Sequence, residues 1–331
     1  MKARFFNGDL ATYMVVLALM LVISLNSCSG GGSDDPVPIV PPVVPTVMPP
    51  VAVIKPAINV GLNSATLVAK FIPNGDNVTV SFEYKTKEST DWVTNTLPTK
   101  YSGKDSIKVT LDLSNLTLNT EYNVRIKVVN KAGTVTSDVT SFKTYGVTDY
   151  DGNMYHLVTI GTQTWLQENL KTTHFANGDL IPNVTDNAAW VALTTPGYCY
   201  YDNDPKNGPI RGCLYNFYVA FDSRGFIKGY HVATADEWET LSRYNESAYG
   251  NDVWGSLRAA PPIWNGNNKS GFSVLKSGWR DDTFVNQHAC FWTSTPYGPN
   301  SGEDIWFWDR GGDVGACSGR MVGEAIRLIK N

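Results

Sequence analysis

Short segments that alternate apolar and polar residues dominate the stretch from Val51 to Tyr145. A period of two places successive side chains on opposite faces of an extended chain, so each segment is predicted to be a β-strand with one buried face. Turn signals such as Asn74-Gly75 separate the segments, and this stretch contains no cysteine. The segments are SATLVAKF (64–71), NVTVSFEYK (77–85), SIKVTLDL (106–113), YNVRIKVVN (122–130) and DVTSFKTY (138–145). The pattern predicts an all-β sandwich over residues 51–145.

The second half of the chain, residues 146–331, has a different composition. Of the ten tryptophans only Trp92 precedes residue 165, and the strand-like segments here are short and separated by long loops. The dipeptide Asp151-Gly152 predicts a hairpin with a type I′ turn, because that turn needs positive φ at both central positions. These features predict an α+β, loop-rich domain with few helices.

One helix is predicted in this second domain. Thr234 and Glu237 have the capping-box spacing, in which the threonine caps the first turn and the glutamate reaches back to its amide. The helix is expected to run from about Ala235 to Asn245, with Trp238 on its buried stripe. Trp165 and Trp190 are also assigned to the core.

The N-terminus has the layout of an export signal. Lys2 and Arg4 precede an almost unbroken apolar run from Tyr13 to Leu25. That run of about 13 residues is too short to span a bilayer, which takes roughly 20 residues as a helix. Residues 1–27 are therefore predicted to be a signal peptide. Residues 28–50 are rich in Gly and Ser and then in Pro, which predicts an extended tether without a core.

The signal peptide ends in Leu25-Asn26-Ser27-Cys28, which resembles a bacterial lipobox. The resemblance implies that Cys28 receives a diacylglycerol and becomes the new N-terminus, which would anchor the protein to a membrane. Asp34 and Asp35 resemble the acidic surface-export tracts of Bacteroidetes lipoproteins and imply an outer-membrane location, at the cell surface. The alternative is an uncleaved anchor or a plain signal peptide with a chance cysteine.

The stretch LSNLTLNTEYNVRIKVVN resembles the E–F corner of a fibronectin type III domain through Leu116, Thr120, Tyr122, Val124 and Ile126. The resemblance implies that the hydroxyl of Tyr122 bonds back to upstream backbone, as in a tyrosine corner. The segment SATLVAKF lacks the usual early tryptophan, so the domain is divergent. Its expected role is a spacer, with an adhesive module as the alternative.

Several motifs in residues 146–331 resemble the Fibrobacter succinogenes major paralogous domain, which is abundant in exported bacterial lipoproteins. The motifs are DYDGNMYHLVTIGTQTWLQENLKTT (149–173), GYCYYDND (197–204), LYNFYVA (214–220), GYHVATADEWETL (229–241) and FWTSTP (291–296). The resemblance implies a C-type-lectin-like fold related to formylglycine-generating enzymes, and an exported setting. Phe226 and Leu328 stand where relatives carry two cysteines, so these two side chains are expected to pack against each other.

Four cysteines remain after Cys28, an even number that suggests disulfides in an exported chain. Cys199 and Cys213 flank a short polar loop and are predicted to form one bridge. Cys290 and Cys317 are predicted to form a second one. Free buried thiols are the alternative.

No strong catalytic motif occurs in the sequence, and no enzymatic activity is predicted. The four histidines are His156, His174, His231 and His288, and none has a metal-like spacing. A calcium site built from Asp202, Asp204 and Asn207 is a weak alternative to a polar turn, because Lys206 stands in a ligand position. No other cofactor is predicted.

Tryptophans and charged residues near the C-terminus form a candidate binding surface. Trp306 and Trp308 lie two apart, so in a strand they share a face. Apolar ring faces beside oriented polar groups hold sugars and peptides. We call the proposed set the tryptophan platform: Trp279, Arg280, Asp304, Trp306, Trp308, Asp309 and Arg310. The alternative is that these tryptophans pack in the core.

The net charge of −4 supplies no basic footprint, which argues against nucleic acid as a partner. The sequence thus predicts a lipid-anchored cell-envelope protein that presents a non-catalytic, lectin-like domain to a glycan or a protein. A structural or assembly component of the envelope is the alternative. An enzyme related to formylglycine-generating oxidases is the third hypothesis.

Overall fold

The computed structural model describes residues 47–299 and 301–331. The predicted signal peptide, Cys28 and the tether as far as residue 46 lie outside the described residues. Val47–Asn331 form one compact unit. Within the described part of the chain, no helix has both the length and the apolar character needed to cross a membrane.

Eight strands form a β-sandwich in the first half of this unit. They are Val51–Ile58 (β1), Ala65–Ile72 (β2), Thr79–Thr86 (β3), Val93–Thr96 (β4), Ile107–Leu113 (β5), Glu121–Asn130 (β6), Gly133–Thr136 (β7) and Thr140–Lys143 (β8). One sheet has the order β1-β2-β5. The other has the order β4-β3-β6-β7, and β8 also pairs with β6. The first half is therefore a fibronectin type III-like, all-β sandwich, as predicted.

The sandwich core follows the alternation of the sequence. Along β6 every second side chain is buried, from Tyr122 to Asn130. Phe71 from β2 and Phe82 from β3 are buried in the same core cluster as Ile126. The sequence patterns did not single out β1, β4 or β7. Two of these are only four residues long, and β1 buries no side chain fully, so their alternation is weak.

The tyrosine corner is present. The amide of Thr117 donates a hydrogen bond to the hydroxyl oxygen of Tyr122 at 2.9 Å. The Tyr122 ring is buried and stacks on Phe142 with ring centroids 5.5 Å apart. The bond ties the chain entering β6 to the loop before it, as the resemblance implied.

The second half has five short helices and thirteen mostly short strands in the described residues. The helices are Asn187–Val191 (α1), Gly208–Arg211 (α2), Phe217–Ala220 (α3), Ala235–Tyr249 (α4) and Val253–Leu257 (α5). The strands are Val147–Thr148 (β9), Met154–Tyr155 (β10), Leu157–Ile160 (β11), Gln163–Leu166 (β12), Tyr198–Cys199 (β13), Leu214–Tyr215 (β14), Tyr230–Val232 (β15), Trp279–Arg280 (β16), Phe284–Val285 (β17), Ala289–Pro296 (β18), Ser301–Trp308 (β19), Gly311–Gly319 (β20) and Leu328–Lys330 (β21).

Two sheets organise this loop-rich α+β half. One has the order β11-β12-β21-β15, so the last strand of the chain lies between strands from its beginning and its middle. The other is the antiparallel sheet β18-β19-β20. Trp165 and Trp238 are buried between them with ring centroids 4.9 Å apart, and Trp190 is buried in a smaller cluster. The three tryptophans assigned to the core from sequence are therefore in it.

The predicted capping box opens helix α4. The hydroxyl of Thr234 accepts from the amide of Glu237 at 3.2 Å, and the Glu237 carboxylate accepts from the amide of Thr234 at 2.8 Å. The helix runs to Tyr249, one turn beyond the predicted end at Asn245. Asn245 is itself buried, and its amide donates to the carbonyl of Leu241.

The hairpin predicted at Asp151-Gly152 forms between β9 and β10, but its turn is not type I′. Thr148 pairs with Met154, so five residues connect the strands. Gly152 has a φ of 80°, whereas Asp151 does not adopt positive φ. The loop is closed instead by Asp149, whose carboxylate accepts from the amide and the side chain of Asn153, each at 2.9 Å.

Candidate functional site

Strand β19 places three residues of the tryptophan platform on one face, as the two-residue spacing predicts. These residues are Asp304, Trp306 and Trp308, and their exposure increases along the strand. Asp304 is fully buried, Trp306 is half-buried, and 37% of Trp308 is exposed. The opposite face carries Ile305 and Phe307, which are buried in the core. Along Asp304, Trp306 and Trp308 this face therefore runs from the core to the surface, and Trp308 is the most exposed of the three.

Trp306 is held from several sides. Its indole N–H donates to Oδ2 of Asp304 at 2.8 Å. Its ring lies 5.7 Å from Trp279 and 5.9 Å from His288, measured between centroids. These contacts hold the ring against its neighbours. The main role of Trp306 is therefore to support the candidate binding surface rather than to contact a ligand.

Arg280 is not a ligand-binding residue, which corrects the prediction. Its side chain is fully buried, and its guanidinium donates to the carbonyls of Val184 and Thr185 at 2.8 and 3.0 Å. It also lies over the rings of Trp190 and Phe284. An arginine whose two terminal nitrogens bond internal oxygens and whose guanidinium is enclosed by aromatic rings has a structural role.

Asp304 is also internal, which is a second correction. Besides Trp306, the hydroxyl of Ser318 donates to its Oδ2. The fully buried Glu324 lies beside it, and burial together with the charge of Asp304 raises the pKa of Glu324 well above its ordinary value. Protonation of Glu324 removes its charge from this buried pair of carboxyl groups. This carboxyl pair lies beneath the platform and is inaccessible to a ligand.

The open end of β19 borders a cleft of about 610 Å³, which we call the Trp308 cleft. It is lined by Lys276, Asn286, Gln287, His288, Trp308, Asp309 and Arg310. Three platform residues belong to it: Trp308, Asp309 and Arg310. The sequence prediction missed the other four, which flank the short hairpin of β16 and β17. The one sequence feature that could have indicated these four residues is their proximity to Trp279 in the chain.

Gly311 allows Trp308 to take this position. The two residues are paired across β19 and β20. A Cβ atom at Gly311 would lie 2.9 Å from Nε1 of the Trp308 indole, which is closer than such contacts allow. The absence of a side chain therefore lets the indole approach the backbone of the neighbouring strand.

Asp309 is committed to two neighbours. Its Oδ1 accepts from the indole N–H of Trp264 at 2.7 Å and lies 2.9 Å from Nζ of Lys276. These two interactions lower the pKa of Asp309, with the Trp264 hydrogen bond as the larger cause. The carboxylate therefore holds Lys276 at the wall of the Trp308 cleft.

Two of the three calcium candidates make local hydrogen bonds within one turn. Asp204 accepts from the amide of Lys206 at 3.0 Å, and the Asn207 amide donates to the carbonyl of Tyr201 at 2.9 Å. Asp202 adopts a positive φ of 57° in the same turn. Among the residues that the structure describes, no group of three or more His, Cys, Asp or Glu could hold a metal ion. The segment is a polar turn.

The predicted Cys199–Cys213 disulfide is absent, because both residues are buried free thiols. Cys199 pairs with Leu214, and adjacent residues of a strand point to opposite faces. Cys199 accordingly packs with Trp190, whereas Cys213 belongs to another core cluster. Burial raises the pKa of Cys199 to about 11 and that of Cys213 to about 12.

The predicted Cys290–Cys317 bridge is absent as well, since Cys290 is a buried free thiol. Cys290 lies on β18 and Cys317 on β20, and both strands pair with β19 between them. Strands two apart are separated by roughly 9–10 Å, beyond the Cα spacing of a disulfide. Burial raises the pKa of Cys290 well above its ordinary value. A buried thiol of this kind is unsuited to the oxidase-like chemistry of the third hypothesis.

Phe226 and Leu328 are both buried in one core cluster. Their location agrees with the expectation that they fill a shared space, and their direct contact stays a prediction.

The histidines outside the Trp308 cleft have local partners. His231 contacts the side chains of Asn331 and Glu237 at 2.7 and 3.0 Å. His156 pairs with Glu168 at 2.6 Å, and His174 pairs with Asp151. These histidines stabilise local structure and do not converge on one site.

Comparisons with known proteins bear on each half of the chain. A family model described as the Fibrobacter succinogenes major domain matches residues 158–330. No curated protein matches the chain. Among solved structures, the sensor domain of the anti-sigma factor RsgI4 in Pseudobacteroides cellulosolvens is 20% identical, covers 31% of this chain and 100% of that chain, and gives a TM-score of 0.25. The fibronectin type-III domain of human fibronectin type III domain containing protein 3 is 18% identical, with coverages of 29% and 86% and a TM-score of 0.23.

Proposed function

The chain belongs to the Fibrobacter succinogenes major domain family, and we propose that it is a cell-envelope protein whose family domain binds a glycan in the Trp308 cleft without catalysing a reaction. The observation that carries this proposal is the cleft itself. Its volume of about 610 Å³ lies within the range of small-ligand sites. It combines one partly exposed indole with amide and charged side chains.

The chemistry of the lining fits a sugar. The exposed part of Trp308 offers an aromatic surface to the apolar face of a sugar ring. Asn286 and Gln287 are exposed and supply amide donors and acceptors for hydroxyl groups. Lys276 is held in place by Asp309, so one charged group is already oriented. Binding of this kind needs no reactive group in the cleft.

A glycan array with the purified full chain tests this function. The Trp308→Ala variant is expected to lose binding to the glycans that the unchanged chain retains. Trp92→Ala is the matched control, because Trp92 is a half-buried tryptophan of the sandwich and does not line the cleft. Retained binding by Trp308→Ala, or no binding by the unchanged chain, would overturn the proposal.

Burial of much of the platform favours a second function, that of a structural component of the envelope. The side chains of Arg280 and Asp304 are fully buried in the domain, and that of Trp306 is half-buried. If the array shows no glycan bound by the folded chain, this second function is the better account. Crosslinking in intact cells would then identify the neighbouring envelope proteins.

The location is part of the proposal. The lipobox-like Leu25–Cys28 and the acidic Asp34 and Asp35 support a lipid anchor at Cys28 and display at the outer membrane. The sandwich would then be a spacer between anchor and binding domain. Metabolic labelling with an alkyne fatty acid is expected to mark the chain, and Cys28→Ser is expected to lose the label. Persistent labelling of Cys28→Ser, or protease resistance of the chain on intact cells, would contradict this arrangement.

A further inference from the structure

The side chains that line the Trp308 cleft carry more positive than negative charge. Lys276 and Arg310 are basic, and Asp309 is the one carboxylate among the seven lining residues, all of which the structure describes. The chain as a whole has a net charge of −4. The excess of positive charge is therefore a local property of this cleft.

Two further arginines lie directly behind the lining. Arg211 donates through NH1 to Oδ1 of Asn286 at 2.6 Å and to the carbonyl of Lys276 at 3.0 Å. Arg258 donates through NH1 to the carbonyls of Trp308 and Gly311 at 2.9 and 3.2 Å. Within the described residues, neither arginine has a carboxylate at ion-pair distance. Both guanidinium groups therefore add positive potential behind the cleft.

The single carboxylate of the lining offsets only part of this positive charge. Asp309 is shared between Lys276 and the indole of Trp264, and both interactions use its Oδ1. Arg310 is exposed at the rim, and no ion pair or hydrogen bond of its side chain occurs within the described residues. Its guanidinium is thus available beside the exposed indole of Trp308.

We propose that the Trp308 cleft takes an anionic glycan, in which a sugar ring lies on Trp308 and an acidic group of the same sugar chain meets Arg310. This inference rests on the proposed function and names the class of glycan. A carboxylate, as in a uronate, and a sulfate share the required chemistry, since a guanidinium donates two parallel hydrogen bonds to either group. Asn286 and Gln287 would contact the uncharged hydroxyl groups.

Calorimetric titration of the purified full chain tests the inference with matched sugars. An oligouronate is compared with its carboxyl-reduced form, which keeps the sugar stereochemistry and removes the charge. A sulfated oligosaccharide is compared with its desulfated form, so the two comparisons separate the two sources of the acidic group. We expect at least one acidic form to bind about tenfold more tightly than its neutral counterpart at low salt, because an exposed charge pair is screened at high ionic strength.

The Arg310→Gln variant is expected to bring the acidic and neutral affinities within about twofold of each other, since it removes the charge and keeps a polar group. Lys228→Gln is the control, because it removes one exposed positive charge that does not line the cleft. Equal binding of acidic and neutral forms by the unchanged chain would overturn the anionic preference and leave glycan binding intact. An unaltered preference in Arg310→Gln would also overturn it. Absence of binding to every sugar would instead refute the proposed function.

Discussion

The indole N–H of Trp306 donates to Oδ2 of Asp304, two residues earlier on the same strand, at 2.8 Å. Asp304 is fully buried, so this bond ties the ring to the interior. For Trp308, two residues later, the described part of the chain supplies no partner for the indole N–H, and 37% of the side chain is exposed. Two tryptophans on one face of one strand therefore have different roles.

This difference predicts opposite results for the two alanine variants. Trp306→Ala is expected to lower the free energy of unfolding by about 2–3 kcal/mol, because it removes a half-buried ring and one of the two described donors to Oδ2 of Asp304, leaving the hydroxyl of Ser318. Trp308→Ala is expected to cost less than about 1 kcal/mol and to abolish glycan binding. Urea unfolding followed by circular dichroism measures both values. Equal destabilisation by the two variants would contradict the division of roles.

Because the carboxyl groups of Asp304 and Glu324 are buried side by side, we expect the free energy of unfolding to depend on pH. The Glu324→Gln variant is expected to remove this dependence. The pKa of Glu324 is raised in the folded protein, first by burial and then by Asp304, and Ser318, Cys290 and the Trp306 indole also lie beside the pair. A raised pKa contributes stability below the unfolded value of about 4.3, and this contribution is lost as the pH rises toward the folded value. Gln stays neutral and can donate to Asp304.

We therefore expect Glu324→Gln to match the unchanged chain near pH 4. It should become relatively more stable by up to about 1.4 kcal/mol per pH unit above that. Chemical unfolding at several pH values between 4 and 8 provides the comparison. Two parallel stability curves across this range would show that Glu324 does not carry the raised pKa.

Arg280 and Arg310 were both predicted to contact a ligand, and substitution by methionine separates their roles. Arg280→Met leaves the carbonyl of Val184 without its donor, at a cost of about 1–3 kcal/mol, whereas the carbonyl of Thr185 still accepts from the side-chain amide of Asn203. Arg310→Met changes an exposed side chain and should alter stability by no more than about 0.5 kcal/mol. Thermal unfolding reports both. A stable Arg280→Met variant would mean that the buried guanidinium is dispensable.

The buried thiols of Cys199 and Cys213 are expected to react slowly with a thiol reagent in the native chain. Burial raises the pKa of Cys199 to about 11 and of Cys213 to about 12, so both are protonated and inaccessible at pH 8. A thiol reagent should label them only after unfolding, with guanidinium-unfolded protein as the reference. A peptide map without reductant should contain no Cys199–Cys213 linkage. A disulfide-linked peptide would refute the free-thiol assignment.

Local patterns predicted the parts of the fold that local chemistry determines. The alternation of apolar and polar residues around Tyr122 predicted strand β6, and the spacing of Thr234 and Glu237 predicted the start of helix α4. In both cases the signal and the structure lie within one turn or one strand. The loop at Asp151 was harder, because its closure depends on the side chain of Asp149 as well as on the dipeptide.

The binding surface was predicted only in part, since it depends on contacts between distant residues. Arginine is rarely buried, so nothing local indicates that Arg280 would be enclosed. Its carbonyl partners lie 96 and 95 residues earlier in the chain. Lys276 and Asn286 reach the Trp308 cleft because the short β16–β17 hairpin lies beside the end of β19. No spacing rule connects these residues to Trp308.

The most direct test observes Trp308 while a glycan binds. The purified full chain carries 5-fluorotryptophan, and the resonances of Trp308 and Trp92 are assigned by the Trp308→Phe and Trp92→Phe variants. Fluorine NMR is then recorded during titration with an array-selected glycan. The account predicts that the Trp308 resonance shifts in proportion to occupancy and that the Trp92 resonance does not move. Saturable binding with an unchanged Trp308 resonance would contradict it.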